Sequence, residues 1–308
     1  MRESLIIGSR GSKLALFQSE KAKARLCSLN PNLEVRIEII KTTGDIKPDP
    51  LTVIGGKGVF TKELEDALLD RRIDLAVHSL KDLPTILPEG LTIGAICERE
   101  DARDALVLPL HYSNADASLQ QLRAGAVVGT SSQRRIAQLK ALRRDVTVKD
   151  IRGNVDTRLR KLDEGQYDAL LLASAGLRRL GMAARISARI PTNQMLPAVG
   201  QGAIAIEARS DHEFALAAIA ELDHDVTRSA CTAERALLNS LGGGCQLPIA
   251  AHAVVEGDQL RLEGLVATPD GSRILRDSVS GSTSAAEELG RVLGERLLAA
   301  GANSLLFR

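Results

Sequence analysis

The stretch Ala126-Val-Val-Gly-Thr-Ser-Ser-Gln-Arg-Arg-Ile-Ala-Gln-Leu-Lys-Ala-Leu142 decides the fold class. A short apolar run leads into a turn of glycine and hydroxyl residues, and an apolar stripe at helical spacing follows. The same order continues with an apolar run at Val146–Val148, a helical pattern through Leu159 and Leu162, and another apolar run at Ala169–Leu172. Short strands separated by single helices are typical of βαβ units. The chain is therefore expected to contain a parallel α/β sheet.

Apolar runs of similar length lie on both sides of this stretch. They predict further strands at Leu5–Ile7, Val35–Ile40, Leu75–Val77 and Ala203–Glu207. The charged segment 98–104 predicts a crossover between two such domains, and 197–202 predicts the return. Domain 1 is thus expected to comprise residues 1–99 and 202–221, and domain 2 is expected to comprise residues 104–197.

The pattern changes after residue 225. A helical stretch at 227–241 precedes three runs that predict an antiparallel sheet, because Glu-Gly-Asp and Pro-Asp-Gly-Ser turns separate them. These runs are His252–Val255, Leu260–Val266 and Ile274–Val279. Residues 225–308 are therefore expected to form a small α+β domain 3. The predicted fold class is α/β, with two domains built on mixed, mostly parallel sheets and this small C-terminal domain.

The composition is that of an ordinary globular protein: of 308 residues, 44% are hydrophobic and 26% are charged. Aromatic residues make up only 2% and the net charge is +1, which argues against a general nucleic-acid binder. The four cysteines form no C-x-x-C pair, and no apolar run has the length of a signal region or a membrane span. We expect a cytoplasmic protein that uses neither nucleic acid, membrane nor metal.

Basic residues recur where strands end and helices begin. They are Arg10, Lys81, Arg134, Arg135, Arg152 and Arg158. Ligands of open α/β sheets bind outside the carboxyl ends of the strands, and the turn at 129–132 would present backbone N–H groups and hydroxyls to an anion. Arginine matches carboxylates with a planar pair of donors. The array predicts a polycarboxylate or phosphate ligand, and a nucleotide is disfavoured because no phosphate-binding glycine motif is present.

A lone cysteine, Cys245, lies in the glycine-rich segment Leu241-Gly-Gly-Gly-Cys-Gln-Leu-Pro-Ile249. Gly242 is expected to end the preceding helix, so that the thiol follows directly on a surface turn. A buried apolar cysteine is the alternative. The glycines favour a reactive or modified thiol, whereas Cys27, Cys97 and Cys231 fall on apolar patterns and are assigned to cores.

Asp82 follows Lys81 at the end of a predicted strand, beside His78. A carboxylate among cations stays ionised, and it can stabilise a positive charge on a substrate or move a proton. A helix cap or a structural ion pair is the alternative. The segment 45–58, with its prolines and glycines, is expected to be a mobile loop of the kind that forms lids.

Seven ordered segments make the chain resemble the porphobilinogen deaminase, or hydroxymethylbilane synthase, family over nearly its whole length. They are Gly8–Leu16, Gly55–Glu65, Ala76–Pro84, Gly129–Arg135, Arg152–Arg158, Leu196–Gly202 and Leu241–Ile249. The resemblance implies three domains, the first two built like the halves of a two-lobed periplasmic binding protein, and a monomer. It further implies that four porphobilinogen molecules are joined head to tail with loss of ammonia, and that hydroxymethylbilane is released by hydrolysis.

The resemblance also implies a dipyrromethane cofactor joined to Cys245 by a thioether. By position in the matching motifs, the residues that hold the cofactor would be Lys81, Thr130, Ser132, Arg134, Arg135 and Arg158. Those that face the incoming substrate would be Arg10, Ser12, Lys57, Arg152, Arg179 and Gln201. Asp82 would be catalytic, beneath the pyrrole N–H groups, where a carboxylate stabilises the azafulvenium cation left by ammonia. The family often has a basic residue at the position of Val53, so no role is carried over there.

Two other classes of protein compete with this reading. A non-enzymatic two-lobed protein that binds an anionic solute would share the architecture but would need no covalent group on Cys245. A cysteine hydrolase or acyltransferase would need a base beside the thiol, and the nearest histidine in sequence, His252, falls in a predicted strand of domain 3.

Overall fold

A computed structural model describes residues 4–43, 60–112, 117–243 and 247–306. The chain divides into two compact units, residues 1–99 with 203–228 and residues 100–202 with 229–308. The loop expected at 45–58, together with Lys57 and Cys245, lies outside the described residues. None of the described helices is long and apolar enough to cross a membrane.

The first unit is built on a five-stranded sheet. Its strands are β1 (Ser4–Ser9), β2 (Glu34–Ile39), β3 (Leu75–Ser79), β4 (Leu91–Ile96) and β10 (Ile204–Arg209), in the order β2-β1-β3-β10-β4. Its helices are α1 (Lys13–Leu29), α2 (Lys62–Leu69) and α6 (Glu213–Ile219), with 3-10 turns at Leu80–Asp82 and Ala220–Leu222. One core lies against each face of this sheet. Leu5, Ile7 and Leu26 belong to one core, and Leu64 and Ile73 belong to the other.

The second unit contains an equivalent five-stranded sheet. Its strands are β5 (Asp104–Val107), β6 (Val127–Gly129), β7 (Thr147–Lys149), β8 (Ala169–Ala173) and β9 (Ala188–Arg189), in the order β7-β6-β8-β5-β9. Its helices are α3 (Gln133–Leu142), α4 (Val155–Asp163) and α5 (Ser174–Arg179), with 3-10 turns at Leu119–Gln121 and Ala183–Arg185. Gly129 ends β6 where space is short, since a Cβ there would lie 2.5 Å from a methyl group of Leu170.

The predicted mixed α/β architecture is confirmed, and the two sheets share one arrangement. In each sheet two neighbouring pairs are parallel and two are antiparallel. In each sheet one strand runs antiparallel to its neighbours, and it is the strand at the end of a crossover segment. This strand is β10 in the first sheet, after 197–202, and β5 in the second sheet, at the end of 98–104. Each sheet therefore collects the carboxyl ends of four strands that run in the same direction at one edge, where ligand-binding loops of α/β proteins lie.

The predicted α+β C-terminal part is also confirmed. Helix α7 (Asp225–Ser240) leads to the antiparallel strands β11 (Ile249–Glu256), β12 (Gln259–Ala267) and β13 (Ile274–Ser282). The 3-10 turn Thr283–Ala285 and the helices α8 (Ala286–Ala299) and α9 (Asn303–Leu306) complete it. Leu237, Leu262 and Leu293 form its core, and Val199 of the crossover 197–202 joins them. This sheet and the sheet of β5–β9 lie in the same compact unit.

Candidate anion-binding site

The turn between β6 and α3 forms one side of a polar cluster in the second unit. Ser132 is the N-cap of α3, with extended backbone, and its side chain makes no capping hydrogen bond. The buried hydroxyl of Thr130 accepts a hydrogen bond from the Ser132 amide at 3.3 Å. Because the first amides of a helix lack intrahelical acceptors, this turn is suited to bind an anion.

Behind this turn, Arg134 and Arg135 share one carboxylate. Arg134 donates from Nη1 to Asp104 Oδ2 at 2.6 Å and from Nη2 to Oδ1 at 3.2 Å. Arg135 donates to Oδ1 from Nε at 3.0 Å and from Nη2 at 2.8 Å. The Gln201 amide donates to the same oxygen at 2.9 Å. All four side chains are buried.

Two further arginines extend this cluster. Arg152 lies in the loop that follows β7, and Arg158 lies in α4. Arg158, half-buried, donates from Nε to the Gly153 carbonyl at 2.7 Å. Burial lowers its pKa, and the positive charge of Arg135 lowers it further. Arg152 donates from Nε to Asp150 at 3.0 Å. The mutual repulsion of these cations favours binding of an anion among them.

The crossover 197–202 is tied into the second unit at several points. Gln201 also donates to the Ala102 carbonyl at 2.7 Å, and Arg179 donates to the Gly202 carbonyl at 2.5 Å. Glu234 of α7 accepts from the Gly200 amide at 2.7 Å and from the Ala253 amide at 2.8 Å. The segment that carries Gln201 is therefore held by both α7 and β11.

The described residues on both sides of Cys245 are well anchored. Gly242 has φ +61°, and the Gly243 amide donates to the Leu238 carbonyl at 3.1 Å, so that the predicted C-cap of α7 is confirmed. On the far side, Ile249 is buried in the core of the C-terminal sheet. The cysteine segment thus starts and ends at fixed backbone positions.

In the first unit, the expected ligand-binding residues follow β1 and β3. Arg10 lies over the ring of Phe60, 4.2 Å from its centre, a cation–π contact that orients the guanidinium. The Ser12 hydroxyl caps α1 by accepting from the Ala15 amide at 3.3 Å. Lys81 and Asp82 form the 3-10 turn that directly follows β3. Asp82 is exposed, and within the described part of the chain it forms no ion pair.

Beneath the end of β3 lies a buried acidic cluster. His78 Nε2 of β3 lies 3.0 Å from Glu207 Oε2 of β10, and both side chains are almost inaccessible. Glu65 of α2 is buried nearby. Burial raises the pKa of Glu65, and the Glu207 carboxylate adds to this effect. Two carboxylates and one histidine therefore share a site in which a second negative charge is unfavourable.

We expect Glu65→Gln to stabilise the protein in a pH-dependent manner. A carboxyl whose pKa is raised by folding contributes stability below its ordinary pKa and loses it as the pH rises through the folded-state value. Urea unfolding at about pH 5 and about pH 8 should show a larger gain in unfolding free energy at the higher pH. Glu20→Gln, an exposed site on α1, is the control and should show no such difference. An equal effect of Glu65→Gln at both pH values would contradict this prediction.

The sequence indicates the basic residues of these clusters, but it does not indicate the roles of Asp104, of Phe60 or of the buried pair Glu65 and Glu207. Asp104 was assigned to the end of a charged crossover, whereas it is the first residue of β5 and is fully buried. Phe60 lies within the motif segment Gly55–Glu65, and its contact with Arg10 has no local signal in the sequence. Among the described residues, no group of three or more histidine, cysteine, aspartate or glutamate side chains is arranged to hold a metal ion.

The fold and these clusters define a class, an α/β protein with arginines gathered beyond the carboxyl ends of its strands. Residues 5–217 match the family description "porphobilinogen deaminase, dipyromethane cofactor binding domain", and residues 229–299 match "porphobilinogen deaminase, C-terminal domain". The chain belongs to the porphobilinogen deaminase family. It therefore contains the dipyrromethane-binding domain of a transferase of tetrapyrrole biosynthesis.

Two curated relatives cover the chain almost completely. The porphobilinogen deaminase of Chromobacterium violaceum is 51% identical over 305 residues, which are 99% of this chain and 97% of that protein. The porphobilinogen deaminase of a Roseiflexus species is 51% identical over 307 residues, 99% of each chain.

Solved structures of other families are more distant. A point mutant of full-length BenM is 15% identical, with a TM-score of 0.41 over 70% of this chain and 65% of BenM. The extracellular-binding protein ytmK of Bacillus subtilis, a probable part of an amino-acid ABC transporter, is 11% identical. Its TM-score is 0.42 over 72% of this chain and 90% of ytmK.

Proposed function

We propose that this enzyme joins four porphobilinogen molecules head to tail, with release of ammonia, and releases hydroxymethylbilane. The cluster of Arg135, Arg152 and Arg158 beside the first turn of α3 is the observation that carries the proposal. Each pyrrole of the substrate bears an acetate and a propionate, so the growing chain gains negative charge with each addition. An array of arginines that repel one another is suited to such a ligand.

The residues of the second unit fit a dipyrromethane that carries four carboxylates. The hydrogen bonds of Arg135 leave one N–H on each of its terminal nitrogens. The Ser132 hydroxyl makes no capping hydrogen bond, so that it and the first amides of α3 remain available to a ligand. Thr130, Ser132, Arg134, Arg135 and Arg158, with Lys81 of the first unit, are proposed to hold the cofactor carboxylates. When bound, the cofactor supplies the nucleophilic pyrrole carbon that starts each chain.

Cys245 is proposed as the residue that carries the cofactor through a thioether. A thiol is the strongest nucleophile among uncharged side chains at neutral pH, and the described ends of its segment are fixed by the cap of α7 and by Ile249. Because three glycines directly precede it, a bulky group can approach the backbone there.

The incoming substrate is proposed to meet Arg10, Ser12, Lys57, Arg152, Arg179 and Gln201, with Asp82 at the reacting centre. Loss of ammonia leaves a cation on the substrate, and the exposed carboxylate of Asp82 stabilises that charge electrostatically. The contact of Arg10 with Phe60 restricts its guanidinium before a ligand arrives, which lowers the entropy lost on binding.

We further propose that the chain works as a cytoplasmic monomer without nucleic acid or membrane. Four cysteines without a C-x-x-C pair suit a reducing compartment, and 2% aromatic residues leave few stacking surfaces for single-stranded nucleic acid. Light scattering of the purified holoenzyme tests the monomer, and a stable dimer would contradict it. A non-enzymatic solute-binding protein is not favoured by the family membership.

The test of this function is a mass spectrum of the enzyme mixed with limiting porphobilinogen. The parent should carry a two-pyrrole mass and show a ladder of further additions, one substrate unit at a time. Unmodified, fully active enzyme would exclude the covalent primer, and the absence of any ladder would exclude stepwise growth on the protein.

The same spectrum should separate the arginines. Arg135→Leu is expected to lack the adduct or to fail at the first additions. Arg10→Leu should keep the adduct but add each substrate unit more slowly than the parent. Loss of a bidentate partner leaves a carboxylate unpaired, at a cost of about 2–5 kcal/mol. Arg123→Leu removes an exposed arginine that pairs with Asp168 and is the matched control. If both test variants added all substrate units at the parent rate, the proposal that these arginines bind carboxylates would be wrong.

A further inference from the structure

Asp104 is the carboxylate around which the cationic cluster of the second unit is organised. It is fully buried at the start of β5 and accepts five hydrogen bonds, two from Arg134, two from Arg135 and one from Gln201. Burial alone would raise the pKa of Asp104, but the charges of Arg134 and Arg135 outweigh it and hold the pKa far below its usual range. The five donors and the lowered pKa both favour the ionised carboxylate at neutral pH.

The geometry fixes the orientation of Arg135. Its Nε and Nη2 both donate to Oδ1 of Asp104, and its Nη1 donates to the Leu171 carbonyl of β8 at 3.0 Å. Three of the five guanidinium N–H groups are thereby used, and the plane of the group is set by two strands. The two that remain are one on Nη1 and one on Nη2, and charged donors of this kind bind carboxylates strongly.

The charge of Asp104 is as important as its shape. Without it, Arg134 and Arg135 would be two adjacent buried cations, and Arg158 would add a third charge that already acts on Arg135. Like charges at such distances repel strongly in a medium of low polarity. With Asp104 ionised, the group of Arg134, Arg135 and Asp104 keeps one net positive charge for a ligand.

We infer that Asp104 is a positioning residue of the reaction, which holds Arg135 ready for the carboxylates of the growing chain before any ligand binds. Gln201, through its hydrogen bond at 2.9 Å, fixes Asp104 in turn and links it to the crossover 197–202. The inference rests on the proposed function, and it assigns a role to a side chain that would not itself contact the substrate.

The first test compares three variants by two rates, the rate at which each gains the two-pyrrole mass and the rate at which it then adds substrate units. Asp104→Asn keeps the shape and removes the charge, and Asp104→Glu keeps the charge. Asp163→Asn is the matched control, because Asp163 accepts from both terminal nitrogens of Arg185, at 2.9 and 2.7 Å, in the same unit. Urea unfolding of each variant gives the loss of stability separately.

For Asp104→Asn we expect a loss on the order of a hundredfold in the rate of adduct gain, as for other misplaced binding groups. Asp104→Glu should recover a large part of that loss, and Asp163→Asn should match the parent. If Asp104→Asn gained the adduct as fast as Asp163→Asn, the inference would be wrong while the proposed function stood. If the parent itself gained no adduct, the proposed function would fail first.

A second measurement does not depend on the folding of Asp104→Asn. Arginine side-chain 15N spectra of the parent and of Cys245→Ser, which is expected to lack the adduct, report on the Nε–H of Arg135, assigned by its loss in Arg135→Lys. We expect a slowly exchanging signal at the same position in both proteins, since Asp104 holds the group before a ligand binds. A signal that became protected only in the adduct-bearing parent would overturn the inference.

Discussion

Cys245→Ser is expected to give a folded protein that lacks both the two-pyrrole adduct and all turnover. Serine keeps the size of cysteine, but its hydroxyl is a poor nucleophile unless a base activates it. The fold should persist because the neighbouring structure depends on other residues. The Gly243 amide closes the end of α7 on the Leu238 carbonyl, and Ile249 is buried in the adjacent core.

Intact mass and a peptide map of the purified proteins measure this outcome directly. Cys27→Ser makes the same chemical change on α1 of the first unit and should keep the adduct and the activity of the parent. Wild-type activity in a Cys245→Ser protein, or an adduct found on another cysteine, would show that the attachment site has been misassigned.

Local sequence pattern was sufficient for much of the fold. The strands at β1, β3, β6 and β8 were predicted within two residues, because each is a short apolar run bounded by turn residues. The direction of the crossover strands was not predictable. A short, largely apolar run such as β5 has the same pattern in a parallel and in an antiparallel pairing, and only its partner, β8, decides between them.

The candidate site shows the same division between local and long-range information. The positions of Arg134 and Arg158 after strands were visible in the sequence, since they follow from the order of elements alone. The burial of Asp104 was not, because its charge is compensated by arginines 30 and 31 positions further along the chain. The buried pair of Glu65 and Glu207 was hidden for the same reason, since each carboxylate looks like a solvated residue in its own segment.

Ser12 shows how a motif residue can have a structural role as well as a proposed one. Its hydroxyl accepts from the Ala15 amide at the start of α1, which is the usual role of a serine at an N-cap. The sequence motif marked it as a ligand residue, and the structure adds a function in positioning the helix that follows Arg10.

Asp82→Asn is expected to keep the fold and the cofactor but to lose most of the turnover. Asp82 is exposed in the 3-10 turn after β3, and within the described residues no ion pair depends on its charge, so the amide should cause little structural change. The lost charge matters at one moment of the reaction, when ammonia leaves and the substrate carries a positive charge. Removing one preorganised electrostatic group costs on the order of a hundredfold or more in rate.

The measurement is the single-turnover rate of each substrate addition, read from the ladder of masses in a protein that still carries the adduct. Asp82→Glu keeps the charge on a longer side chain and should lie between the parent and Asp82→Asn. Asp211→Asn is the matched control, an exposed carboxylate of the same unit paired with Arg71, and should match the parent. Because the cation forms at every addition, Asp82→Asn should slow all steps equally, in contrast to Arg135→Leu, which should fail at the start. An Asp82→Asn rate within about threefold of the parent would show that the carboxylate does not stabilise the developing charge.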